Sequence, residues 1–157
     1  IGVLWQTGQV NPSYEHFMSN LIRQKMIVAI DSQNPVKKTN AKKFVLFIPE
    51  YETHELGLLF ANYIIRSQGH ESIYLGQNLP YTDLDCIIAQ YKPDIIMSVI
   101  TSSPSKLTTQ GFVNNLSERF KNQKILLTGI QITENSALHC PSNVKFIAEI
   151  GDFISFV

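Results

Sequence analysis

The chain has 157 residues, of which 44% are hydrophobic, enough for one ordinary domain with a small appendage and a buried core. Lys plus Arg equal Asp plus Glu at 13 each, which excludes a chain that clamps a polyanion such as DNA by its own charge. Cys86 and Cys140 lie far apart without a paired spacing, which fits a reduced cytoplasmic protein better than a disulfide scaffold or a zinc site.

No apolar run approaches the roughly 20 residues of a membrane span, and no signal peptide is visible. The first residue is Ile1, and the last segment, Gly151 to Val157, stops where an amphipathic helix could be starting. The expectation is a fragment of a longer protein, with a partner domain upstream.

Residues 1 to about 10 are mixed and carry the single tryptophan, Trp5. Asn11-Pro12 then reads as an N-cap followed by proline at the first helical position, and a helix should run from Pro12 to about Asp31. Tyr14, Phe17, Met18, Leu21 and Ile22 have the spacing of an amphipathic face, and that stripe is expected to pack on something. Glu15 falls at the edge of the stripe and His16 nearly opposite it, so spacing alone assigns the pair to an ordinary solvated face. Residues 1–33 read as the end of a helical bundle. The polar, proline-containing segment 34–41 reads as a linker.

From residue 42 to 157 strand and helix alternate. Apolar runs at Phe44–Ile48, Ser72–Leu75, Ile95–Ile100, Ile125–Leu127 and Val144–Ala148 read as buried parallel strands. Helical patterns lie between them at about Leu58–Ser67, Thr82–Tyr91, Ser105–Asn122 and, shorter, Glu134–Leu138. Five βα repeats predict an α/β fold: a flavodoxin-like, doubly wound five-stranded parallel sheet in the order 2-1-3-4-5. Right-handed crossovers then bring the loops after strands 1, 3 and 4 to one edge.

The first of those loops holds Glu52-Thr53-His54-Glu55-Leu56-Gly57. A histidine leaving a buried strand just before a helix sits at the carboxyl edge of the sheet, where open α/β folds bind ligands. His54 is therefore a candidate metal ligand, against the plainer reading of a surface or capping residue. A receiver domain would need a phosphate-accepting aspartate at the end of strand 3, where this chain has Ser98 and Thr101 but no carboxylate. A phosphate-cradling turn would need more glycine than Gly57 alone, and a zinc-protease helix would need a second histidine where Leu58 stands. No nucleophile elbow or distinguishable carboxylate pair is present, so no catalytic constellation is visible and no enzyme is expected.

These residues carry a resemblance. Glu52-x-His54-x-x-Gly57, forty residues, Ser98-x-Ile100, twenty-eight residues and Gly129-Ile130 resemble the motif of cobalamin-binding domains: Asp-x-His-x-x-Gly, about forty residues, Ser-x-Leu, then Gly-Gly. Glu52, Ile100 and Ile130 depart from that pattern. Trp5 followed after nine residues by Glu15-His16 resembles the helical cap of light-responsive, adenosylcobalamin-binding transcription regulators of the MerR type. The residue after the tryptophan, often histidine in that family, is Gln6 here.

The resemblance implies that His54 is the lower ligand of cobalt in cobalamin, with adenosylcobalamin the expected form, and that Glu52 orients its ring. It implies that Ser98 and Ser102 hydrogen-bond the nucleotide tail and that Gly57 and Gly129 admit it closely. Trp5, Glu15 and His16 would flank the upper face. DNA would be bound by an upstream winged-helix domain outside this chain, and the protein is expected to form a homo-oligomer. The same His-on cobalt would serve a corrinoid carrier domain of a methyltransferase. A flavodoxin-like module that has lost its cofactor and only dimerises is the third reading.

Overall fold

The structure, a computed structural model, describes residues 11–102 and 108–157. Helix α1 spans Pro12–Asp31, as the sequence predicts. Asn11 caps it, its side chain accepting a hydrogen bond from the Ser13 backbone N–H at 2.9 Å. The chain then alternates through β1 (Lys43–Phe47), α2 (Leu56–Ser67), β2 (Glu71–Tyr74), a 3₁₀ turn (Tyr81–Asp83), α3 (Leu84–Tyr91) and β3 (Ile95–Val99). It continues through α4 (Thr109–Arg119), β4 (Lys124–Thr128), α5 (Ile130–Thr133), β5 (Val144–Phe146) and α6 (Ile150–Phe156). The sheet is parallel throughout, in the order β2-β1-β3-β4-β5.

Both sheet faces are covered, which is why the strands read as continuous apolar runs rather than alternating ones. Val45, Phe47, Ile96, Ile125 and Leu127 form one core with Leu84 of α3 and Phe112, Val113 and Leu116 of α4. Phe44, Leu46, Ile48, Ile95, Met97 and Leu126 form the other with Leu58, Ala61 and Ile65 of α2 and Phe153 of α6.

Two elements differ from the sequence reading. The short helix expected at Glu134–Leu138 forms earlier, at Ile130–Thr133. Gly129, at φ +105°, turns the chain sharply enough for its carbonyl to accept from Ile132 and Thr133 at once. Asn135 instead makes a local turn, its side chain accepting from the Ala137 N–H at 3.3 Å. The apolar stripe of α1 is the second difference. Tyr14 and Phe17 are 69% and 64% exposed, and no residue of the helix is buried. The face turned toward α2 is the neighbouring one, where Glu15, Ser19, Ile22, Met26, Ala29 and Ile30 are half-buried.

The loops expected to converge do converge. Ile100 N–H donates to Thr128 at 2.8 Å, and Gln131 N–H donates to Ile100 at 3.2 Å, so the exits of β3 and β4 touch. The exits of β1 and β3 are joined through Glu52. Among the described residues, no helix is long and apolar enough to cross a membrane.

Candidate functional site at the carboxyl edge of the sheet

Glu52 is 2% exposed and is held by donors from two loops. Its Oε1 accepts from the backbone N–H groups of Thr53 and His54, both at 2.9 Å, and its Oε2 from those of Thr101 at 2.8 Å and Ser102 at 2.5 Å. Burial alone would push this carboxyl up. The N–H groups of His54 and Ser102, the His54 ring and the Thr101 N–H outweigh it, so the group lies below the usual carboxylate range. An ionised carboxylate only accepts, so the His54 Nδ1 that lies 2.6 Å from Oε1 carries the ring proton. In the neutral imidazole the lone pair is then on Nε2, the form in which histidine ligates metals. The His54 side chain is 64% exposed, and its Nε2 has no hydrogen-bond partner among the described residues.

The loop bearing His54 is bent and braced from β2. Tyr51 sits at φ 65° and Asn78 at φ 56°, both uncommon for residues with side chains. They face each other, the Tyr51 N–H donating to Asn78 Oδ1 at 2.9 Å. Gln77 Nε2 donates to the Thr53 carbonyl at 2.7 Å, while the Ile48 N–H donates to Gly76 at 2.9 Å and the Leu79 N–H to Ile48 at 3.0 Å.

A cleft of about 630 Å³ opens between this loop and α1. His54, Thr53 and Gly57 line one side and Glu15, His16 and Asn20 the other. His16 Nδ1 is 2.7 Å from Glu15 Oε2, and the Ser19 hydroxyl donates to Glu15 Oε1 at 2.5 Å. The Ser19 hydroxyl, ahead of any effect of burial, holds the Glu15 carboxyl below its ordinary value, with His16 adding to it.

No family model matches the chain. The structure superposes on the monomethylamine corrinoid protein of Methanosarcina barkeri with a TM-score of 0.69, covering 99% of this chain and 74% of that one at 13% identity. It superposes likewise on a cobalamin-binding protein from Desulfitobacterium hafniense DCB-2 with a TM-score of 0.56, covering 99% and 73% at 16% identity. The fold is that of a cobalamin-binding domain. In sequence the chain is similar to the HTH-type transcriptional repressor CarH of Myxococcus xanthus, 29% identical over 103 residues. That alignment takes in 65% of this chain and 33% of the repressor, so the chain spans about a third of the length of the curated relative it matches.

Within this fold the sequence-expected residues fall into two groups. Glu15, His16, His54 and Gly57 line the cleft, with Glu52 directly behind His54. Ser98, Ile100 and Gly129 do not line it. Ser98 is fully buried and donates to the Phe47 carbonyl at 2.9 Å, and Ile100 belongs to the core. Ser102 meets the site through its backbone N–H on Glu52. Trp5 lies outside the described residues.

The two glycines also separate. A Cβ on Gly129 would lie 2.4 Å from the Ile100 carbonyl oxygen, so the chain's own backbone requires glycine there. A Cβ on Gly57 would meet nothing closer than the Val99 methyls at 3.8 Å. Nothing among the described residues demands glycine at 57, where the cleft wall is left open.

Sequence reasoning missed Glu55, Arg23 and Tyr74. Glu55 is 4% exposed; its Oε1 accepts from Arg23 Nε of α1, and its Oε2 from the Tyr74 hydroxyl at 2.5 Å. Burial first, and the Glu55 carboxylate second, push the Tyr74 hydroxyl well above its ordinary pKa, and the bond to Glu55 raises that of Arg23. An acidic residue directly after the candidate ligand was the available signal. Its partners, 32 residues before and 19 residues after it, have no local pattern that would single them out.

Proposed function

We propose that this chain is the cobalamin-binding sensor module of a transcription regulator, with His54 as the lower ligand of cobalt. The observation that carries the proposal is the Glu52–His54 pair, which fixes the ring proton on Nδ1 and leaves Nε2 unpartnered among the described residues, on a largely exposed side chain that lines the cleft. Imidazole suits cobalt, and a buried carboxylate behind it fixes ring orientation and raises its basicity. Among the described residues no group of three or more His, Cys, Asp or Glu could hold a metal. A lone imidazole suits an ion whose other positions are filled by its own macrocycle. The open wall at Gly57 fits a bulky ligand that passes close to the backbone.

Adenosylcobalamin, the proposed form, would supply a light-sensitive cobalt–carbon bond, and light is the proposed signal. The chain's part is to orient His54, to hydrogen-bond the nucleotide tail through Ser98 and Ser102, with Ser98 turning from its present bond to the Phe47 carbonyl, and to present Glu15 and His16 on the opposing wall. In this reading residues 1–33 form a cap, 34–41 a linker and 42–157 the cobalamin domain. DNA contact belongs to a winged-helix domain outside the chain, and signalling proceeds through a homo-oligomer.

The corrinoid-carrier reading uses the same His54. A methyl carrier is expected to present a more apolar cap, whereas α1 contributes Glu15, His16, Ser19, Asn20 and Arg23 to the cleft, and this favours the sensor. The test is an absorption spectrum of the chain mixed with adenosylcobalamin in the dark, desalted, and recorded again after green light. Retained corrin absorbance that changes on illumination is the expected result. Retained absorbance without a response rejects the photosensor, and no retained absorbance rejects cobalamin binding. Replacing His54 with Ala should weaken retention without altering the far-ultraviolet circular dichroism, and unchanged affinity removes the lower-ligand assignment.

A further inference from the structure

Helix α1 is held to the sheet layer with little apolar burial. None of its residues is buried, and its inner face is only half-covered. At its C-terminal end the Gln33 side chain donates to the Tyr63 carbonyl of α2 at 3.1 Å. The other side-chain tie among the described residues from α1 to the rest of the fold is Arg23 to Glu55.

Glu55 is unusual as a receptor for that tie. Its carboxylate is almost wholly buried, and each oxygen is taken by a different element, Oε1 by Arg23 of α1 and Oε2 by Tyr74 of β2. Displacement of Arg23 would leave a buried carboxylate facing a single neutral hydroxyl, the costly half of a broken ion pair. Glu55 also has no slack along the chain. It follows His54 directly, and its carbonyl accepts from the Leu59 N–H at 2.9 Å in the first turn of α2.

We propose that Arg23 and Glu55 are a positioning pair that couples the seat of α1 to the His54 loop, so that what occupies the cleft is reported to α1 through the peptide joining His54 to Glu55. The transmission rests on the cobalamin reading above; the tether itself does not. Any ligand that pulls on His54 rotates the adjoining peptide and moves the carboxylate that Arg23 grips. The helix, lightly packed, follows or is released, and a differential contact of this kind is what a coupling between two positions requires.

Hydrogen–deuterium exchange across residues 12–31 tests both parts, with hydroxocobalamin in the dark as the probe ligand at saturating concentration. In the free protein, Arg23→Met should speed exchange over the first half of α1 by about tenfold, and Arg23→Lys, which restores the charge, should recover part of the protection. Exchange in Arg23→Met equal to wild type overturns the tether. In wild type, hydroxocobalamin should change exchange in α1, and Glu55→Gln at saturation should lose that change. A ligand-dependent change that persists in Glu55→Gln overturns the transmission. A wild-type chain that retains no hydroxocobalamin overturns the cobalamin reading and the transmission with it, while the free-protein comparison still decides the tether.

Discussion

Replacing Glu52 with Gln preserves the side chain's size and removes one acceptor oxygen. In the native arrangement each oxygen serves two backbone N–H groups, Thr53 and His54 on Oε1, Thr101 and Ser102 on Oε2. On the Oε2 side the amide NH₂ faces two donors and on the Oε1 side three, the His54 ring N–H included, so at least two hydrogen bonds are lost. Each unpaired buried donor costs about 1–3 kcal/mol, and loop relaxation favours the lower half, which gives a loss of about 2–4 kcal/mol. For a domain of this size about 1 kcal/mol corresponds to roughly 2–4 °C, so Tm should fall by roughly 5–15 °C. Thermal unfolding followed by circular dichroism at 222 nm measures it. A Tm within about 2 °C of wild type would refute the account of Glu52 as the clamp between the exits of β1 and β3, because a clamp so fully engaged cannot be removed at so small a cost.

The two glycines should part company. Gly129→Ala forces a Cβ onto the Ile100 carbonyl at a positive φ and should cost about 2 kcal/mol or more, read as a lowered urea midpoint. Gly57→Ala should leave that midpoint within about 0.5 kcal/mol of wild type yet weaken hydroxocobalamin retention; equal retention would show that the open wall is not used by the ligand. Tyr74→Phe removes a hydrogen bond to a buried carboxylate and should cost about 2 kcal/mol at neutral pH. The folded Tyr74 hydroxyl titrates above its ordinary value of 10.0, so above pH 10 the unfolded chain ionises first and the native form loses stability. The gap between wild type and Tyr74→Phe should therefore close as the pH rises past 10, and a gap that widens would contradict the assigned environment.

The fold was largely legible because parallel strands covered on both faces leave uninterrupted apolar runs, and Val45 and Leu46, adjacent in sequence, enter opposite cores. The start of α1 was equally open to reading, since Asn11 and Pro12 act locally. The inner face of α1 was not. Hydrophobic spacing singles out Tyr14, Phe17 and Leu21, but the side turned toward α2 mixes Ile22 and Met26 with Glu15 and Ser19, and its charge is satisfied within the cleft. In the site, Glu52 and His54 could be paired from their spacing of two residues. The Glu55 network could not, because Arg23 and Tyr74 reach it only through the packing of α1 and the pairing of β2 with β1. The start of α5 was missed for a smaller reason: the left-handed turn at Gly129 begins the helix a full turn earlier than the polar segment after it suggests.

The bracing of the His54 loop bears on how such a site can be moved between proteins. The bend at Tyr51 is held by Asn78, and the Thr53 carbonyl by Gln77, residues that follow β2 rather than β1. The hexapeptide Glu52 to Gly57 thus carries the chemistry of the site but only half of its address. A designer who grafts those six residues onto another parallel sheet would install the imidazole and lose its aim. Tyr51, residues 76–79 and the backbone of Thr101 and Ser102, which closes on Glu52, supply the missing coordinates, and a graft that carries all of these is the portable form of this histidine.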